Sequence, residues 1–175
     1  QRRLWFTQAV LPDSSVYNIP VVIDLEEAVD EGVLHQALNK LSERHESLRT
    51  VFPEEHDEPV QRVVSLQEAK NVEVVVREAA SESEVDSITN ELLQTAFDLI
   101  RFPLFNLHIV RFGKQDRLVL VMHHIISDHR SVDIFIYELT HIYRALEDER
   151  ESDLSPLELQ YGDYAQQLKS KQREQ

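Results

Sequence analysis

The spacing of apolar residues changes period several times along the chain, and each change marks a candidate element. "IPVVIDLEE" (19–27) is a β-branched run that predicts a strand. "DEGVLHQALNKLSERH" (30–45) puts Leu34, Ala37, Leu38 and Leu41 on one side of a helix, with Asp30 placed to cap its N-terminus. "SLRTVF" (47–52) predicts extended chain, and Pro53 with the acidic run behind it predicts a turn. "PVQRVV" (59–64) and "NVEVVVRE" (71–78) read as further strands. A second helix is predicted over "SESEVDSITNELLQTAF" (81–97), with Val85, Ile88, Leu92 and Ala96 facing inward. "PLFNLHIVRF" (103–112) and "RLVLVMHH" (117–124) predict two strands joined by a tight hairpin at Gly113-Lys114-Gln115-Asp116. A third helix from about Ser131 carries Val132, Phe135, Ile136, Leu139, Ile142, Tyr143 and Leu146, a wide stripe suited to core packing. "LQYGDYAQQLKSKQREQ" (159–175) predicts a short tail helix. The sum is one α+β domain, its strands mostly antiparallel and covered by helices.

Composition narrows the function. The chain has 175 residues, 42% hydrophobic and 29% charged, enough for one core and the balance of an ordinary globular domain. Its 32 acidic and 18 basic residues leave a formal charge of −14, a surface that repels a phosphate backbone and disfavours nucleic acid as a partner. The acids cluster in "DLEEAVDEG", "PEEHDEP", "REAASESEVD" and "EDERESD", which read as solvated turns and helix starts. Cysteine is absent, so there is no thiolate chemistry; this fits the cytoplasm. Three glycines cannot build a glycine-rich phosphate loop, and no apolar run reaches the roughly 20 residues needed to span a membrane. The abrupt start at Gln1 suggests a piece of a longer polypeptide.

"MHHIISDHRS" (122–131) is the chemically dense stretch. Residues 118–121 are apolar at consecutive positions, which predicts a central strand buried on both faces. Alternation then sends His123 and His124 to opposite sides, against a shared metal ion, and Asp128 and His129 would have to fold back to complete one. One histidine belongs under a covering helix with a hydrogen-bond partner, while the other can face a cleft and handle a proton. On composition alone, a satisfied core or loop histidine is the default for each.

Three segments read together change this. "RHESLRTVF" (44–52), "MHHIISDHRS" and "YGDYA" (161–165) stand in the order of core motifs of condensation domains of nonribosomal peptide synthetases. "QRRLW" at the start resembles the later part of that family's first motif, and "FDLIRFPLFNLHIVR" (97–111) resembles its stretch between second and third motifs. The wider superfamily includes chloramphenicol acetyltransferase and carnitine acyltransferases. The resemblance implies a chloramphenicol acetyltransferase-like lobe, the N-terminal one of two, with the active site in a tunnel between it and a C-terminal lobe that this chain does not contain. It implies peptide-bond formation in which an acceptor aminoacyl thioester attacks a donor acyl or peptidyl thioester. The substrates ride on phosphopantetheine arms of upstream and downstream carrier proteins beside an adenylation domain, and no cofactor is bound by the lobe itself.

The family's HHxxxDG maps onto His123, His124, Ile125, Ile126, Ser127, Asp128 and His129. By this resemblance His124 is the catalytic candidate, His123 is structural, and Asp128 pairs with an arginine, Arg49 first and Arg44 second. The departure is His129 in place of glycine, a position where glycine permits positive φ or close approach; the histidine would add bulk beside His124 and narrow the tunnel. It leaves two further readings open. One is a non-catalytic relative that docks carrier proteins or recruits another enzyme. The other is an ester-forming or starter acyltransferase of the same superfamily.

Overall fold

The apolar runs of the sequence meet in one four-stranded sheet. In the computed structural model, which describes residues 1–56, 58–69, 72–163 and 165, the order of elements is α1 (Arg2–Val10), β1 (Asn18–Leu25), α2 (Glu31–Arg44), β2 (Thr50–Val51), β3 (Glu54–Glu55), β4 (Glu58–Pro59), β5 (Arg62–Val63), β6 (Val74–Glu78), α3 (Glu82–Leu93), β7 (Phe105–Phe112), β8 (Gln115–His123) and α4 (His129–Glu147). The main sheet runs β1-β8-β7-β6, antiparallel except for the parallel β6–β7 pair. Strands β2 with β5 and β3 with β4 form two short ribbons.

Strand β8 is central and buried from Val119 through His123, as its unbroken apolar run predicts. Phe105 and Met122 are paired across β7 and β8, and the Phe105 ring meets Phe135 of α4 at 5.8 Å, which places α4 on that face. Helix α2 packs against α4. On the other face Arg117 reaches α3, bonding Asp86 at 2.8 Å. Since side chains alternate along a strand, Val119, Val121 and His123 share the Arg117 side.

Helix α2 follows its pattern closely: Asp30 accepts from the Val33 amide at 2.9 Å, and Leu34, Ala37, Leu38 and Leu41 are buried. Helix α3 is shorter than its sequence pattern. Ser81 caps it by accepting from the Glu84 amide, and Val85, Ile88 and Leu92 are buried, but it stops at Leu93 and leaves Ala96 exposed. There the Thr95 hydroxyl turns back onto the Leu92 carbonyl at 2.7 Å and Asn18 donates to the Thr95 carbonyl, so the last turn is replaced by a bonded corner. The hairpin is tighter than predicted, because Phe112 pairs directly with Gln115 across Gly113 and Lys114; Gly113 supplies the positive φ of 64°. The predicted extended segment at Ser47 is instead a 3-10 turn over Glu46–Arg49, and only Thr50 and Val51 continue as strand. The predicted tail helix lies mostly outside the described residues; 161–163 are helical.

Candidate active site

The turn between β8 and α4 is fixed by hydrogen bonds along its length. His123 donates its amide to the Leu104 carbonyl at 2.9 Å, and His124 donates to the Tyr17 carbonyl at 2.8 Å. The Ile126 amide and the Ser127 hydroxyl both reach the His123 carbonyl, each at 3.1 Å. Gln1 donates from its side chain to the Ile125 carbonyl at 2.9 Å. This turn leaves His124 exposed while Ile125, Ile126 and Ser127 are buried beneath it.

His123 is fully buried, with Tyr17 and Phe97 rings beside it. Its Nδ1 accepts the Ile125 amide at 3.0 Å, so its proton sits on Nε2, facing the Gln8 Oε1 at 3.4 Å. The Gln8 amide group is oriented by donating to the Pro12 and Ser14 carbonyls at 3.0 and 3.3 Å. Burial, with the neighbouring His124 adding to it, pushes the His123 pKa down to about 4. His123 is therefore buried and hydrogen-bonded within the turn, in surroundings that disfavour its charged form.

His124 has the complementary arrangement. Its Nδ1 lies 2.6 Å from the Ser127 carbonyl, which can only accept, so Nδ1 carries the proton. Nε2 is left with a lone pair. His124 lines a cleft of about 220 Å³ with Gln1, Ser47, Thr50, Ser131 and Tyr161 on its walls. An oriented imidazole with an open Nε2 beside a polar cleft can accept a proton or a hydrogen bond from a bound nucleophile.

Asp128 does not pair with either arginine. It caps α4, its Oδ1 accepting from the Ser131 amide at 2.8 Å and the Ser131 hydroxyl at 2.7 Å. These bonds hold its carboxyl below the usual aspartate range, with His124 a smaller contribution. Both arginines are engaged elsewhere. Arg49 is buried and donates to the Ser42 carbonyl at 3.0 Å and the Val64 carbonyl at 2.5 Å, tying α2 to the segment after β5. Arg44 meets the buried Glu138 of α4, Nε to Oε2 at 3.0 Å. Their sequence neighbours Ser47 and Thr50 reach the cleft instead.

His129 is the first residue of α4 and is exposed. Among the described residues, the non-glycine positions with positive φ are His56 and Glu149, so the backbone at His129 needs no glycine. Asp128 and Ser131 border the cleft, whereas His129 is not among its lining residues and does not narrow it.

The sequence pattern does not single out Gln1, Gln8 or Glu138. Gln8 has one legible signal, a polar residue on the side of α1 that also carries Leu4 and Trp5. No three His, Asp or Glu side chains among the described residues lie together as a metal site.

The condensation-domain family model matches residues 1–175. The chain belongs to the condensation-domain family. It is 37% identical over 169 residues to a linear gramicidin synthase of Brevibacillus parabrevis, covering 94% of this chain and 3% of that protein. It is likewise 37% identical over 166 residues to the dimodular nonribosomal peptide synthase of Bacillus subtilis (strain 168), covering 94% of this chain and 7% of that one. The chain thus spans a small part of these curated relatives. Among solved structures it resembles the X-domain from teicoplanin biosynthesis, with a TM-score of 0.83 and 28% identity, over 99% of this chain and 38% of that chain. The starter condensation domain of rhizomide synthetase RzmA shares the fold at a TM-score of 0.78 and 22% identity, over 98% of this chain and 43% of that chain. These likenesses agree with the α+β fold expected from the sequence, a chloramphenicol acetyltransferase-like lobe with a mostly antiparallel sheet. Among the described residues no helix is long and apolar enough to cross a membrane.

Proposed function

We propose that this chain is the N-terminal lobe of a peptide-bond-forming condensation domain in a nonribosomal peptide synthetase, and that His124 is its catalytic residue. The observation that carries the proposal is the 2.6 Å approach of His124 Nδ1 to the Ser127 carbonyl, which assigns the proton to Nδ1 and leaves the Nε2 lone pair to the cleft that His124 lines.

In this reading a donor acyl or peptidyl thioester and an acceptor aminoacyl thioester reach the cleft on phosphopantetheine arms. The acceptor amine adds to the donor carbonyl, forming the C–N bond and a tetrahedral intermediate with a negative oxygen and a positive nitrogen. His124 Nε2 accepts the hydrogen bond, and then the proton, of that nitrogen. Collapse breaks the C–S bond, and the departing thiolate takes up the proton. The elongated peptide is left on the acceptor arm. The carrier proteins, an adjacent adenylation domain and a C-terminal lobe forming the opposite wall are the partners this reading requires.

The test is dipeptide formation between loaded carrier proteins by the full-length protein. His124→Ala is expected to slow it by at least about 100-fold, the range for loss of a positioned acid–base group. Unchanged product formation would remove His124 from its role.

A second reading has one observation behind it. The X-domain likeness is accompanied by a solved complex of that X-domain with OxyB, in which the present chain matches at a TM-score of 0.83 and 27% identity. A docking role for this chain rests on that likeness alone.

A further inference from the structure

The apolar stripe of α4 is interrupted by a buried carboxylate. Glu138 lies between Phe135 and Ile142, is buried, and takes no part in the chemistry derived above. A buried carboxylate is costly unless several donors meet it, and several do. Arg44 approaches with Nε at 3.0 Å and Nη2 at 3.4 Å, and His45 Nε2 lies at 2.5 Å.

The same arginine reaches onward. Its Nη2 donates to the Ser155 carbonyl at 2.7 Å. Further along that segment, the Gln160 side chain closes a second link: it donates to the Arg44 carbonyl at 3.0 Å and accepts from the Glu46 amide at 3.1 Å. The strap 155–160 is therefore tethered at both ends to the C-terminus of α2, and α2 is tethered there to α4. Tyr161 follows the strap directly and lines the His124 cleft, as does Ser47, which follows the other side of the junction.

We propose that Glu138 is a positioning residue for the cleft: by anchoring Arg44 it holds the 155–160 strap, and with it the Tyr161 wall, at the mouth through which substrate reaches His124. The role rests on the condensation reading of that cleft. It acts on binding of the substrate arm and not on the proton transfer, since these junction hydrogen bonds stop short of the 123–127 turn.

Two variants of the full-length protein test it. Glu138→Gln offers the Arg44–His45 pair one acceptor oxygen and an opposing NH2 group. Gln160→Ala cuts the strap tether and leaves the buried cluster whole. Both are expected to raise KM for the loaded carrier proteins about tenfold with kcat within about threefold. Both are also expected to speed hydrogen exchange of the Glu46 amide about tenfold while exchange across 123–127 stays as in the wild type. Gln160→Ala should leave Tm unchanged, which separates the strap from general destabilisation. Unchanged Glu46 exchange in Glu138→Gln would overturn the anchoring, since Gln160→Ala removes the acceptor of that amide directly, and a fall in kcat with constant KM would overturn the binding role. A wild-type protein that forms no peptide bond would defeat the condensation reading itself, while the exchange measurement still decides the anchoring.

Discussion

His123 and His124 are adjacent in sequence and opposite in chemistry, and the cause is what each ring nitrogen meets. His123 receives a backbone amide at Nδ1 inside the core, whereas His124 gives its Nδ1 proton to a carbonyl at the surface. The first has a measurable consequence for stability. Its folded pKa of about 4 lies below the ordinary value of 6.5. Between those values the unfolded chain binds a proton that the folded chain refuses, so stability falls as pH drops through this window. The effect should amount to about 2 kcal/mol by pH 5. His123→Asn keeps an acceptor near the Ile125 amide but does not titrate. Urea unfolding at pH 7 and pH 5 should therefore show a smaller loss in the variant than in the wild type; equal losses would refute the buried neutral histidine. Strand alternation makes the divergence of the two rings legible in the sequence. The partners of Asp128, Arg44 and Arg49 are not legible there. Arg44 and Arg49 are engaged by contacts between separate segments, and nothing in the local pattern marks Glu138 or the Val64 carbonyl as their destination. Asp128 turns to its own helix, which the family motif does not suggest.

At the scale of the element, α4 begins two residues earlier than its apolar stripe suggests because Asp128 caps it and His129 and Arg130 complete the first turn. An N-cap carboxylate replaced by alanine typically costs about 1 kcal/mol, while asparagine serves the cap nearly as well. Asp128→Ala should thus lower the unfolding free energy by about 1 kcal/mol and Asp128→Asn should leave it nearly unchanged. A large loss with asparagine, measured by urea titration, would favour a charge pair over the cap. The helices α2, α3 and α4 are legible, since their apolar positions recur at helical spacing and Asp30 caps α2 as its type predicts. The short 3-10 turn at Glu46–Arg49 is not. The apolar and polar residues of "SLRTVF" fit an extended chain equally well, and the turn is set by the buried Arg49 guanidinium reaching Ser42 and Val64. Helix α1 shows no clear period, having one buried residue, Gln8.

At the scale of the molecule, a lobe with one catalytic side chain on an open cleft is half of a reaction chamber in the condensation reading. The isolated 175-residue chain is expected to give no detectable peptide bond between loaded carrier proteins under conditions where the full-length protein turns over. Robust turnover by the chain alone would contradict the two-lobe arrangement. In the condensation reading the turn carrying His124 is built for chemistry although His129 replaces the motif glycine. His129 has no positive φ and does not line the cleft, so the substitution should leave the machinery intact. The most direct measurement is single-turnover peptide-bond formation by the full-length wild-type protein beside its His129→Gly variant. The wild type is expected to be active and the variant to differ by less than about tenfold, a change of under ~1.4 kcal/mol in the barrier. An inactive wild type brought to life by glycine would overturn the catalytic role of this turn.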